Sequence, residues 1–196
     1  MTNNIFYIFI ILLFAAACTS DYLPKSKGFN RIDLPEHEYK QLDTDKHPYT
    51  FEHSIYAEAH DDTTSWEKKK NHYKIIYYPK FEAKIHLTYK SLKGNQDTLD
   101  SYLDEAYRLL YGHDKKAYGI DQVIDTTDHG YFVNYFTLSG EVPSQYQFIT
   151  HDSTNHFLRG ALYFKTAQKN DSLAPVIDYI KEDIHHTVNT IEWKQE

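Results

Sequence analysis

Apolar and polar residues alternate most strictly from Ala83 to Tyr89, with Ala83, Ile85, Leu87 and Tyr89 on one parity and Lys84, His86 and Thr88 on the other. A strand repeats every two residues, so the pattern predicts a half-buried strand. Ahead of it, the run 73–78 (YKIIYY) stops at Pro79, and the Pro79–Glu82 link is short enough for a hairpin. An earlier run, 49–57 (YTFEHSIYA), follows the His47-Pro48 break and predicts a first strand. The period then changes. Leu99, Tyr102, Leu103, Ala106, Leu109 and Leu110 recur at three and four residues, which predicts a helix with Asp97 or Thr98 as its cap and Gly112 at its end. Four more strands are predicted over 120–125, 131–139, 146–150 and 157–165, separated by turn chemistry such as Asp128-His129-Gly130. A last helix is predicted over 173–190. Its apolar stripe is Leu173, Val176, Ile177, Ile180, Ile184 and Val188, with Asp171 or Ser172 as the cap and Pro175 in the first turn.

The resulting order, β-β-β-α-β-β-β-β-α, predicts an α+β fold: a mostly antiparallel sheet flanked by helices, an αβα sandwich. A doubly wound parallel sheet needs a helix at each crossover, and the short links between these strands exclude it.

Length and charge narrow the class. With 196 residues, 41% hydrophobic and 25% charged, the chain holds one domain and a core of ordinary size. Its net charge of -7 opposes phosphate binding, so nucleic acid is not an expected partner. A single cysteine makes no internal disulfide, thiolate zinc cluster or CxxC pair.

Where that cysteine sits is informative. Residues 5–17 (IFYIFIILLFAAA) are uncharged and apolar, too short for a membrane-spanning helix but suited to a secretory signal, and Cys18 follows the alanines directly. The arrangement resembles a bacterial lipobox, which implies a signal peptide over 1–17 and acyl chains on Cys18 that hold the protein to a membrane. Residues 18–46 then read as a lipidated tether and arm, and 47–196 as the globular domain. Behind the cysteine only Asp21 is acidic, before Lys25 and Lys27. Bacterial lipoproteins exported to the cell surface usually carry an acidic cluster there, which this chain does not resemble, so the domain is expected to face the periplasm.

Catalytic chemistry has one candidate, His151-Asp152-Ser153 with His156. A serine nucleophile needs a base in reach and a third group orienting that base. All these groups fall inside one turn, where side-chain hydrogen bonds to the backbone are the simpler expectation. Among the 12 histidines no i, i+4 pair occurs, His185 and His186 point about 100° apart on a helix, and only His129, His151 and His156 are candidates to converge. No GxGxxG or GxxxxGK[ST] run is present, and no cofactor or metal is expected. Arginine is scarce, at Arg31, Arg108 and Arg159. Arg31 with Phe29, Ile32 and Leu34 reads as a docking motif for a membrane-complex partner, and Arg159 as a buried or edge ion pair or a further partner contact.

The segments YLPKSKGFNRIDLPEHEY, HPYTFEHSIYA, IIYYPKFEAKIHLTYK and FITHDSTNHFLRGALYF…NDSLAPVIDYIKEDIHHTVNTIEW resemble the gliding-motility lipoprotein GldD family of Bacteroidota. That resemblance implies a periplasm-facing lipoprotein needed for gliding and the coupled type IX secretion machinery, with other envelope proteins as partners and no catalytic residues to carry over. Its fold is expected to be PsbP-like. Two rival readings are an envelope hydrolase using the turn 151–156 and a small-ligand or glycan binder presenting Tyr77, Tyr78, Tyr131 and Tyr135.

Overall fold

The computed structural model describes residues 32–42, 47–62, 72–112, 117–165 and 170–194, with only the backbone at 170–172. Three short strands come first: β1 (Tyr39–Gln41), β2 (Tyr49–Thr50) and β3 (Glu52–Ser54). The main sheet follows with β4 (Glu58–Asp61), β5 (Lys74–Tyr78), β6 (Ala83–Ser91), β7 (Ala117–Thr126), β8 (Phe132–Gly140), β9 (Tyr146–His151) and β10 (His156–Phe164). Helix α1 (Gln96–Tyr111) joins β6 to β7, α2 (Asn170–Asn189) follows β10, and β11 (Glu192–Trp193) closes the chain. The seven main strands are all antiparallel, in the order β4-β5-β6-β10-β9-β8-β7. The α+β expectation holds, with a helix on each face of the sheet.

Alternation decides which side chain meets which helix. On one face, Ile76, Tyr78, Ile85, Leu87, Tyr135, Phe148, Leu158 and Leu162 pack with Val176, Ile177, Ile180, Ile184 and Val188 of α2. Each fully buried isoleucine there contributes roughly 1.5–3 kcal/mol of transfer free energy. Under this core, Gly160 pairs across the sheet with Phe148. A Cβ at that position would lie within the Phe148 ring, so only glycine fits under it. On the other face, Leu99, Ala106 and Leu110 of α1 pack with Leu92, Phe136, Leu138, Val142, Ile149 and Phe157.

Several local expectations need correction. The run 49–57 is not one strand of the main sheet. It breaks at buried Phe51 and turns at 55–57, so β2 pairs with β11 and β3 with β1. The first strand of the main sheet is instead the short polar β4, on the edge beside β5. Asn95, not Asp97 or Thr98, caps α1, accepting the Thr98 N–H at 3.2 Å. Leu109, placed in the apolar stripe by its spacing, is exposed. Helix α2 begins at Asn170, ahead of the residues assigned to its cap. The compact unit runs Arg31–Glu196, which draws 32–42 of the expected arm into the domain. Among the described residues no helix is long and apolar enough to cross a membrane.

Candidate functional site

The two faces are not equally covered. Helix α1 lies over the half of its face that contains Phe136, Leu138, Ile149 and Phe157. The other half, built from β4, β5, β6 and the end of β10, forms a groove of about 540 Å³ lined by His60, Ile75, Tyr77, Glu82, Lys84, Tyr163, Phe164 and Lys165. The β5–β6 hairpin shapes one end. Its link is a 3-10 turn over Pro79–Phe81, closed by Glu82 in the left-handed region at φ 48°.

Groove charges are largely engaged with neighbours. Lys165 Nζ donates to Glu82 Oε1, and that carboxylate raises the lysine pKa. His60 Nε2 lies 3.0 Å from Glu58 Oε2. Lys84 Nζ stands 5.5 Å from the Tyr77 ring centroid, a cation–π contact that leaves the ammonium facing solvent. The His86 ring meets Tyr163 edge-on at 5.4 Å, and burial holds His86 below the usual imidazole range. Beyond Tyr163, Arg159 donates to Gln147 Oε1 and to the Tyr163 hydroxyl, and desolvation lowers its pKa. Among the described residues Arg159 thus bonds uncharged acceptors, with the Glu105 charge acting on it as well.

Of the expected docking residues, the described part of the chain holds Ile32, Leu34 and Arg159. Cys18, Phe29 and Arg31 lie outside the described residues. Ile32 is half-buried against the α2-side core, while Leu34 is exposed. Arg159 projects from the opposite face of the sheet, because alternation along β10 separates it from Leu158 and Leu162. The aromatic platform divides as well: Tyr78 and Tyr135 are core residues, and Tyr77 reaches the groove.

Around 151–156 the groups are arranged as a turn. Asp152 Oδ1 accepts the N–H groups of Thr154, Asn155 and His156 at 2.9, 2.8 and 2.9 Å, and these bonds outweigh burial to lower its pKa. Ser153 Oγ lies 3.2 Å from His151 Nδ1, so the acid serves the backbone instead of orienting the base. His151 stacks on Phe132, whereas His156 bonds the Tyr89 hydroxyl and stacks on Trp193 from the other face. His129 lies beside Tyr131. The three histidines thus stay apart, and no group of three metal-ligating side chains forms among the described residues.

One cluster has no counterpart in the sequence reading. Asp183 of α2, fully buried, faces His37 Nδ1 at 2.7 Å and accepts from the Tyr78 hydroxyl at 2.9 Å. Glu182 meets the other nitrogen of His37 at 2.8 Å. His37 stacks on Tyr179, Tyr39 stacks on His186, and His186 reaches Glu52 at 2.7 Å. Burial, followed by the Asp183 charge, raises the Tyr78 pKa well above the phenolic range. The available signal was an acid three residues after Ile180 and one before Ile184, inside the apolar stripe of the last helix.

Comparison with known proteins adds the following. The family model described as "Gliding motility lipoprotein GldD" matches residues 19–193. No curated protein matches the sequence significantly. Among solved structures, the solution structure of cyanobacterial PsbP (CyanoP) from Synechocystis sp. PCC 6803 is similar, at 7% identity and a TM-score of 0.47, covering 84% of this chain and 97% of that one.

Proposed function

The chain belongs to the gliding motility lipoprotein GldD family, a family of membrane-anchored envelope lipoproteins, and on that premise we propose that it is a non-catalytic component or assembly factor of the gliding and type IX secretion machinery. Acyl chains on Cys18 hold it to a membrane, and the domain faces the periplasm. The observation that carries this reading is the half-sheet left open beside α1, where aromatic and charged groups line a groove. Such a face suits a protein partner: Tyr77, Tyr163 and Ile75 offer area, and Lys84 offers one charge.

Complementation of a deletion strain tests it. The wild-type chain restores gliding and secretion, Cys18→Ser fails because the domain is no longer held at the membrane, and Tyr77→Ala/Lys84→Glu lowers both at normal protein level. Normal gliding with the groove variant removes the groove from the reading. External protease leaves the domain intact in whole cells and cuts it in spheroplasts; cleavage in whole cells overturns the periplasmic orientation. A second reading, glycan binding, is favoured by Tyr77 and Tyr163 in one groove. Titration with envelope polysaccharide fragments checks it, since a glycan site shows binding that Tyr163→Ala abolishes.

A further inference from the structure

Strand β7 closes the main sheet on the side away from β4 and pairs only with β8. Its outer row of N–H and C=O groups has no strand partner among the described residues. Exposed edges in stable proteins are commonly short, or carry lysine or proline that discourages pairing. This one runs ten residues, AYGIDQVIDT, and has neither. Three of its apolar side chains are also uncovered: Tyr118 is 86% exposed, Ile124 62% and Val123 58%. Exposed Phe132, opposite Thr126, extends that surface onto β8.

The charges of the strand select an occupant. Asp121 and Asp125 are its only ionisable groups besides Tyr118, and the period of two puts them on one sheet face with Val123 between. Neither forms a salt bridge among the described residues; Asp125 Oδ1 accepts only the N–H of Thr126. A second copy of β7 is a poor partner. In each antiparallel self-pairing that overlaps most of the strand, an aspartate of one copy falls directly opposite or diagonal to one of the other, and like charges so placed are destabilising. A strand with basic residues at the matching positions instead gains two cross-strand ion pairs and the full set of edge hydrogen bonds.

We propose that β7 is a docking edge for an extended segment of an envelope protein that carries Lys or Arg at two positions four apart, adding an eighth strand to the sheet. This rests on the reading of the chain as a non-catalytic binding component, and names the chemistry of one partner. The test places a photo-crosslinking residue at Gln122 of the full chain in cells and sequences the cross-linked peptide by mass spectrometry. The expected adduct is to one extended segment containing that basic pair. Asp121→Lys/Asp125→Lys reduces its yield at least tenfold at an unchanged thermal midpoint, and exchanging the partner's two basic residues for Glu restores it. An adduct to β7 of a second copy, a segment without the basic pair, no adduct, or a yield indifferent to charge reversal overturns the proposal. Gliding assays separate the two levels: if deletion stops gliding but the reversed variant glides normally, the edge fails and the component reading stands. Normal gliding after deletion sinks the component reading itself.

Discussion

The two faces of the sheet solve different problems. On the α2 side, helix and arm close over the sheet, and even the polar groups are locked: Asp183 is fully buried and bonded to His37 and Tyr78. On the α1 side the helix stops halfway, leaving Ile75, Tyr77, Lys84 and Tyr163 along an open groove. A small domain with one well-sealed core can leave part of its other face uncovered without losing its fold. The α2 side is the more completely closed around its helix, and the surface left open lies in the groove and along β7.

The sharpest way to break that division is at Asp183. Removing the Asp183 carboxylate leaves the buried Tyr78 hydroxyl without its acceptor, so Asp183→Ala is expected to cost about 1–3 kcal/mol in urea denaturation. It also frees 32–42 to protease; unchanged stability would mean that the α2 side is not the structural half. Next is Gly160→Ala, which forces the Phe148 ring aside and is expected to cost about 1–3 kcal/mol by the same measurement. The third test uses pH. Burial lowers the pKa of His47, His53, His86, His151 and His185 below the 6.5 of the unfolded chain. Between those values the unfolded state binds more protons, so this contribution to stability is present above pH 6.5 and declines as pH falls through the depressed values. Denaturation midpoints from pH 8 to 5 check the slope, and a rise on acidification would contradict it. The smallest expected effect is Lys84→Ala on the open face, within about 0.5 kcal/mol by thermal melt. A larger loss would show that the groove has a structural role after all.

The legible part of the fold was the part governed by one periodicity at a time. Alternation in 83–89 and the three-and-four spacing in 176–188 gave β6 and α2, because each element buries one face against one neighbour. Strand β4 was illegible since EAHD on an edge has almost no apolar side to display. Strands β1, β2 and β11 are held by long-range pairing that no local pattern encodes. In the site, the residue types of the turn at 151–156 were readable, and the direction of the Asp152 carboxylate toward the backbone agrees with a turn. The groove was not readable, because it exists where α1 is absent from the sheet, and sequence marks where a helix is, not what it leaves bare. Asp183 is hard to read because a single acid in an apolar stripe resembles a solvated position until His37 and Tyr78 are brought to it from far along the chain.

The arm clamp has a mechanical consequence. A pull on the chain ahead of Ile32 reaches the domain through 32–42, where β1 is laced to β3 and His37 is held by α2. Such a pull meets the β1–β3 pairing and the His37–Asp183 contact before it meets any strand of the main sheet.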